Sequence, residues 1–247
     1  MARLDGRRAI VTGASRGIGR AIALRLAREG AAVYLAADGT EAELKEAASE
    51  AGADSAWGMF DLARKEAPEA MVAAAKEALG GVDILVNNAG IRARQAFGDF
   101  SQEEFERVVG VNLRCPFFAS QAVLPLMRAQ GGGCIVHIAS QLGMVASRYG
   151  AIYNLTKAAL IQLTRSMALE LAAEGIRVNA VSPGPIGTEG FLAGRRPGEL
   201  EQRLRDVPAG RFGTPEEIAS AVAYLVSGEA DYVHGHNLVV DGGYIVH

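Results

Sequence analysis

The sequence predicts a single α/β domain built on a doubly wound parallel sheet with helices on both faces. Three observations predict it. Short apolar runs alternate with longer amphipathic runs along the 247 residues, the rhythm of βαβ units whose strands are buried on both sides. The chain is 49% hydrophobic and 21% charged, close to the globular average and far from a disordered composition. No linker, repeat or low-complexity tract interrupts residues 1–247, so one domain is the economical reading.

Ala9–Thr12 is a strand, a short apolar run ending in a glycine turn. Gly17–Gly30 is a helix, with Ile18, Ala21, Ile22, Leu24 and Leu26 set between charges. Ala32–Ala37 is a buried strand, and Thr40–Ala51 a helix whose Thr40 and Glu43 have capping-box spacing. Ser55–Phe60, Glu66–Leu79 and Asp83–Val86 follow as strand, helix and strand. Ser101–Met127 is mostly helical, with a kink or break near Pro116, because proline removes an N–H and crowds the preceding turn. Cys134–Ala139 is a strand, Ile152–Ala173 a long helix and Arg177–Ser182 a strand. Pro215–Val226 is a helix capped by Thr214, and Asn237–Val240 the last strand. Residues 185–208 break the rhythm with glycines and prolines and read as an irregular surface lobe able to cover a ligand.

Charge narrows the partners. Lys and Arg total 25 against 28 Asp and Glu, a net charge of −3; no nucleic-acid footprint is expected. Two cysteines, Cys115 and Cys134, lie in apolar runs and read as reduced, buried thiols. Arg3, Asp5, Arg7 and Arg8 break up the first residues, and the uncharged stretch 129–147 is punctuated by glycines, glutamines and serines. Neither resembles a targeting or membrane segment, so a soluble, cytoplasmic protein with no membrane partner is expected.

The sequence Thr12-Gly13-Ala14-Ser15-Arg16-Gly17-Ile18-Gly19 joins the first strand to the first helix. Glycines there allow close backbone approach, and the helix N-terminus offers free N–H groups to a pyrophosphate, as in Rossmann-type dinucleotide sites. The spacing is G-x-x-x-G-x-G, and no Walker lysine follows. Asp38 ends the second strand. A carboxylate there accepts from ribose hydroxyls and repels a 2′-phosphate, which favours NAD. Arg16 pulls toward NADP, because a guanidinium pairs with that phosphate. The balance leans to NAD.

Tyr153 and Lys157 are four apart on a helix and share one face. A nearby ammonium stabilises a phenolate, and a tyrosine so tuned exchanges protons at working pH. Taken alone, the pair could equally be a stacked ring and a solvated lysine. However, Ser140 and Asn87-Asn88-Ala89-Gly90 follow strands at the same sheet rim as the glycine turn, where open α/β sheets bind ligands.

Together the Thr12–Gly19 turn, Asn87–Gly90, Asn112, Ser140, Tyr153-x-x-x-Lys157 and Pro183-Gly184 resemble the short-chain dehydrogenase/reductase family, in order and over nearly the whole chain. Within it the chain is similar to 3-oxoacyl carrier-protein reductases and sugar or polyol dehydrogenases, which share the Asp241-Gly242-Gly243 ending. The resemblance implies Tyr153 as general acid/base and Lys157 as the group that lowers its pKa and holds the nicotinamide ribose. It implies Ser140 as a hydrogen-bond donor to the substrate oxygen, and Asn112 as holder of a relay water. Gly13, Ser15, Arg16, Gly17, Ile18 and Gly19 would line the pyrophosphate and adenosine end. Asp61 and Leu62 would contact the adenine, and Asn88, Ala89 and Gly90 would flank the cofactor. Pro183, Gly184, Ile186 and Thr188 would hold the carboxamide. NAD-specific members commonly carry the acid one place earlier, where this chain has Ala37. The resemblance also implies a homotetramer.

These features predict hydride transfer between a nicotinamide cofactor and a secondary alcohol or ketone on a small polar substrate: a sugar, polyol or hydroxy acid. The alternative is an NADPH-dependent 3-oxoacyl thioester reductase; a non-catalytic NAD(H) sensor would need none of the proton machinery. Arg92, Arg94, Gln141, Arg148, Arg195 and Arg196 fall in the loops that would set the substrate, and read either as anion-binding or as solvated surface. His137 reads as a packed core residue. His234, His236 and His247, near Asp231 and Asp241, fit no zinc template, so no metal is expected.

Overall fold

The computed structural model describes residues 3–193 and 197–246, which leaves Arg195, Arg196 and His247 outside the described residues. Strands β1 (Arg8–Thr12), β2 (Ala32–Ala37), β3 (Ala56–Met59), β4 (Ile84–Asn87), β5 (Gly133–Ile138), β6 (Ile176–Pro183) and β7 (Asn237–Val240) form one parallel sheet. Its order is β3-β2-β1-β4-β5-β6-β7. The α-helices among the described residues are α1 (Gly17–Arg28), α2 (Glu41–Ala51), α3 (Ala67–Leu79), α4 (Gln102–Val109), α5 (Cys115–Ala129), α6 (Ala151–Leu171), α7 (Glu189–Leu192), α8 (Pro197–Arg205) and α9 (Pro215–Val226).

Alternation along the strands builds two cores. Val11, Leu35, Val86 and Val136 face α1, α2 and α9 through Ile22, Leu26, Leu44, Ile218 and Val222. Ile10, Tyr34, Leu85 and Ile135 face α3, α5 and α6 through Met71, Val123, Met127 and Leu171. A strand buried on both sides needs apolar residues at both parities, which is why the strands read as unbroken apolar runs. Each large aliphatic side chain so buried contributes about 1.5–3 kcal/mol.

The chain reverses its direction of travel across the sheet between β1 and β4, so the turns after these two strands part and leave a crevice at their C-terminal ends. Thr12 binds the two turns together: Asn88 N–H and Ala89 N–H donate to its hydroxyl at 2.9 and 3.0 Å, and Asn88 Nδ2 donates to its carbonyl at 2.8 Å. The opposite ends of the same strands are clipped by charge. Arg8 Nε and N–H donate to Asp83 Oδ2 at 2.7 and 2.8 Å.

The break expected near Pro116 within 101–127 is present, and it takes the form of a π-helical turn at Gly110–Arg114. Pro116 has no N–H, so the carbonyl four residues back, that of Asn112, lacks its α-helical donor. The lobe is more regular than its composition suggests. Thr188 caps α7 by accepting from Phe191 N–H at 3.2 Å, and Phe191 packs edge-on against Phe212 at 5.3 Å.

Candidate active site

One cleft of about 420 Å³ runs along the rim, from the β1–α1 turn to the lobe. At its first end α1 begins without a side-chain cap and without an acidic residue in its first turn, so its leading N–H groups remain available to an anion. Gly19 is required: a Cβ there would lie 2.1 Å from the Gly13 carbonyl oxygen and 2.4 Å from Asn88 Nδ2. Arg16 and Asp38, both exposed, flank this end. Glu43 joins them unforeseen. It closes a capping box with Thr40, and its carboxyl is held below the ordinary range chiefly by the Thr40 N–H, with Arg16 adding charge.

The other end holds the proton chemistry. Tyr153 and Lys157 sit one turn apart on α6, and both reach the cleft. Lys157 is 3% exposed, and its ammonium donates to the Ile138 carbonyl at 2.7 Å. Burial pushes its pKa down to about 8. It lies 5.7 Å from the Tyr153 ring centroid. Ser140 follows β5, just past Ala139, and accepts from Leu142 N–H at 3.1 Å. Gly143, in the turn that follows, allows the loop to lie against α6, since a Cβ would come within 2.8 Å of the Lys157 backbone. That contact brings Ser140 to Tyr153.

The Tyr153 pKa departs from the expected direction. Burial raises it, and this outweighs the lowering by the Ser140 hydrogen bond and by Arg92, whose guanidinium lies 4.9 Å over the ring. Desolvation penalises the phenolate, and the Lys157 ammonium is turned to a carbonyl below rather than to the phenol. The protein alone therefore keeps Tyr153 as a phenol.

Nearly all of the expected site residues line this cleft: Gly13, Ser15, Arg16, Gly17, Ile18 and Gly19, then Asp38 and Leu62, Asn88, Ala89 and Gly90, Ser140, Tyr153 and Lys157, and Pro183, Gly184, Ile186 and Thr188. Two do not. Asp61 accepts from Ala63 N–H at 3.0 Å beside the cleft. Asn112 is fully buried behind it. Its Oδ1 accepts from Ile91 N–H at 2.8 Å, and its Nδ2 donates to the Ile91 carbonyl and to Thr156 Oγ1. Asn112 therefore clamps the loop after β4, and its backbone carbonyl is the group freed by Pro116. Gly90 links the two sites, with Lys157 Nζ 3.3 Å and Asn112 Oδ1 3.5 Å from where its Cβ would stand.

Gln141 is 5% exposed and lines the cleft, and its Oε1 is buried with no hydrogen-bond partner among the described residues. Such an acceptor awaits a donor from whatever fills the cleft. An open helix N-terminus at one end, a glycine cradle and an orphaned acceptor beside Gly184 fit a dinucleotide laid along the rim. Sequence spacing had not singled out Arg203 or Phe191, which also line the cleft, because their approach depends on how the lobe folds back.

His137 lies inside β5, fully buried, near Asn87 Nδ2 at 3.2 Å. Burial pushes its pKa down to about 3, with Lys157 adding to the shift, so it is neutral and structural. Cys115 and Cys134 are free and buried. Among the described residues no helix is long and apolar enough to cross a membrane.

A family model described as Enoyl-(Acyl carrier protein) reductase matches residues 13–245. The chain is 42% identical over 247 residues to an L-rhamnose 1-dehydrogenase (NAD(P)(+)) of Azotobacter vinelandii, covering 96% of each. It is also 42% identical over 249 residues to the 3-oxoacyl-(acyl-carrier-protein) reductase FabG of Vibrio cholerae, covering 97% of this chain and 98% of that one. Among solved structures it superposes with a TM-score of 0.93 on one described as an NAD(P) dependent gluconate 5-dehydrogenase from Beutenbergia cavernae with NADP bound at low occupancy. There the identity is 39%, with 99% of this chain and 98% of the other covered.

Proposed function

Because the chain belongs to the short-chain dehydrogenase/reductase family and is an NAD(P)-dependent oxidoreductase, we propose that it interconverts a secondary alcohol and its ketone on a small polar substrate. The observation that carries the reading is the grouping of Ser140, Tyr153 and Lys157 on one cleft wall that continues to the glycine cradle. The bound nicotinamide supplies the two-electron hydride exchange. The chain's own residues handle the proton and the geometry. Ser140 and Tyr153 hydrogen-bond the substrate oxygen. In the oxidative direction Tyr153 takes the hydroxyl proton as the carbinol hydride leaves, once its own phenol proton has passed to solvent by way of Lys157; in the reductive direction the phenol gives its proton to the nascent alkoxide and is reprotonated along the same path. Lys157 holds the nicotinamide ribose, and the Asn112 carbonyl holds a water that passes protons between Lys157 and solvent.

NAD is the proposed cofactor. Asp38 opposes a 2′-phosphate, and Glu43 partly compensates the charge of Arg16, which is the one cation lining that end of the cleft among the described residues. The NADP in the gluconate 5-dehydrogenase structure and the FabG relative favour a second reading, an NADPH-dependent 3-oxoacyl thioester reductase. A cytoplasmic homotetramer is the proposed setting.

Titration with NADH and NADPH, followed by nicotinamide fluorescence, decides the cofactor; tighter NADPH binding would overturn the NAD assignment. Tyr153→Phe should lower turnover by about 10²–10⁴-fold while NADH binding stays near wild type. Unchanged turnover would remove Tyr153 from the mechanism.

A further inference from the structure

The next step rests on the oxidoreductase reading and concerns the class of its substrate. Every charged residue on the Tyr153 half of the cleft wall is cationic. Asp38, at the opposite end, is the one carboxylate lining the cleft among the described residues. Arg92 comes from the loop after β4, and its guanidinium stacks 4.9 Å above the Tyr153 ring. Arg203 comes from α8 in the lobe, resting 5.9 Å over Phe191. Both line the cleft.

Neither guanidinium has an ion-pair partner among the described residues. Arg92 only reaches Ser147 Oγ, at 3.4 Å. Burial lowers its pKa, Tyr153 opposes that, and the charges of Arg94 and Arg203 add to the lowering. Two like charges facing one partly desolvated space repel, and an anion placed between them relieves both. The planar guanidinium fork matches a carboxylate with paired hydrogen bonds. Because Arg92 stacks directly on Tyr153, an anion it holds lies within a few bonds of the reacting carbinol. A neutral polyol would leave both cations unpaired. A phosphate at the far end of a long acyl arm would not reach this position.

We infer that the substrate is a hydroxy acid whose carboxylate sits between Arg92 and Arg203 while its secondary hydroxyl meets Tyr153 and Ser140.

The test uses the full chain with NAD and, separately, NADP. Initial rates are measured on aldonic acids of both configurations, beside the alditols and alditol phosphates of matching length. The acids should be favoured in kcat/KM by roughly 100-fold over the alditols. Arg203→Gln should raise KM for the acid by about 10-fold, Arg203→Lys less, and Arg92→Gln with Arg203→Gln should erase the preference. NADH fluorescence on each variant reports that the cleft is still formed. Preference for alditols or their phosphates, or an acid preference that survives the double variant, overturns the carboxylate site and leaves the oxidoreductase reading intact. If nothing turns over, thermal shifts of the NADH-bound protein still decide. Stabilisation by the acids that is lost in the double variant keeps the site and sinks the reaction instead; no stabilisation by acids sinks the site.

Discussion

Lys157 shows at the scale of one residue how function costs stability. Its folded pKa lies near 8 against an ordinary 10.5, so the unfolded chain binds the proton more readily. The penalty is complete below about pH 8 and fades as pH climbs toward 10.5, and stability rises over that window. Lys157→Met should therefore inactivate the protein and yet stabilise it at neutral pH by about 1 kcal/mol, the desolvation relief being reduced by the orphaned Ile138 carbonyl. Urea midpoints between about pH 8 and 10 check the sign: the wild type should gain stability and the variant should not. The residues of this site were legible because each carries unusual chemistry at a rigid spacing, as Tyr153 and Lys157 do across one helical turn. The raised pKa of Tyr153 was not, because it depends on the direction the Lys157 ammonium takes inside the fold.

At the scale of elements, the interruption before α5 ties backbone to chemistry. Pro116 announced a break in the sequence. Its π-helical form became visible only with the chain built, since hydrogen-bond register is not a property of composition. Pro116→Ala restores an N–H at that position. It should let the turn rewind and cut turnover several-fold through the proton path, with NADH affinity unchanged. A variant as active as the wild type in both directions across pH would dismiss the freed carbonyl as a functional feature. The lobe shows the opposite failure. Gly187, Gly190, Pro197 and Gly198 suggested irregular chain, whereas Thr188 capping and the Phe191–Phe212 contact hold helical turns there. That packing is also what carries Arg203 to the cleft, so a residue invisible to motif spacing becomes part of the site.

Across the whole molecule, the Arg8–Asp83 clip and the Thr12–Asn88 bonds fasten β1 to β4 at opposite ends. Burial raises the Asp83 pKa, and the Arg8 guanidinium and N–H outweigh it, leaving the carboxyl below its usual range. The stability this contributes is present above the ordinary carboxylate range and is lost as pH falls through the folded value. Asp83→Asn should cost about 1–3 kcal/mol at neutral pH and progressively less as pH falls below the ordinary carboxylate range, by urea unfolding over a series of pH values. The alternation of elements was legible from one end of the chain to the other; the strand order was not, because a run of apolar residues does not say which neighbour it pairs with. That order has a consequence for birth of the protein. β1, β2 and β3 are made before β4, and β1 carries a bare apolar edge until β4, which begins at Ile84, some seventy residues after β1 ends at Thr12. During that interval the cradle has no Asn88 to brace it, so the nascent half cannot be rescued by cofactor, and it is in this window that a chaperone would have most to protect.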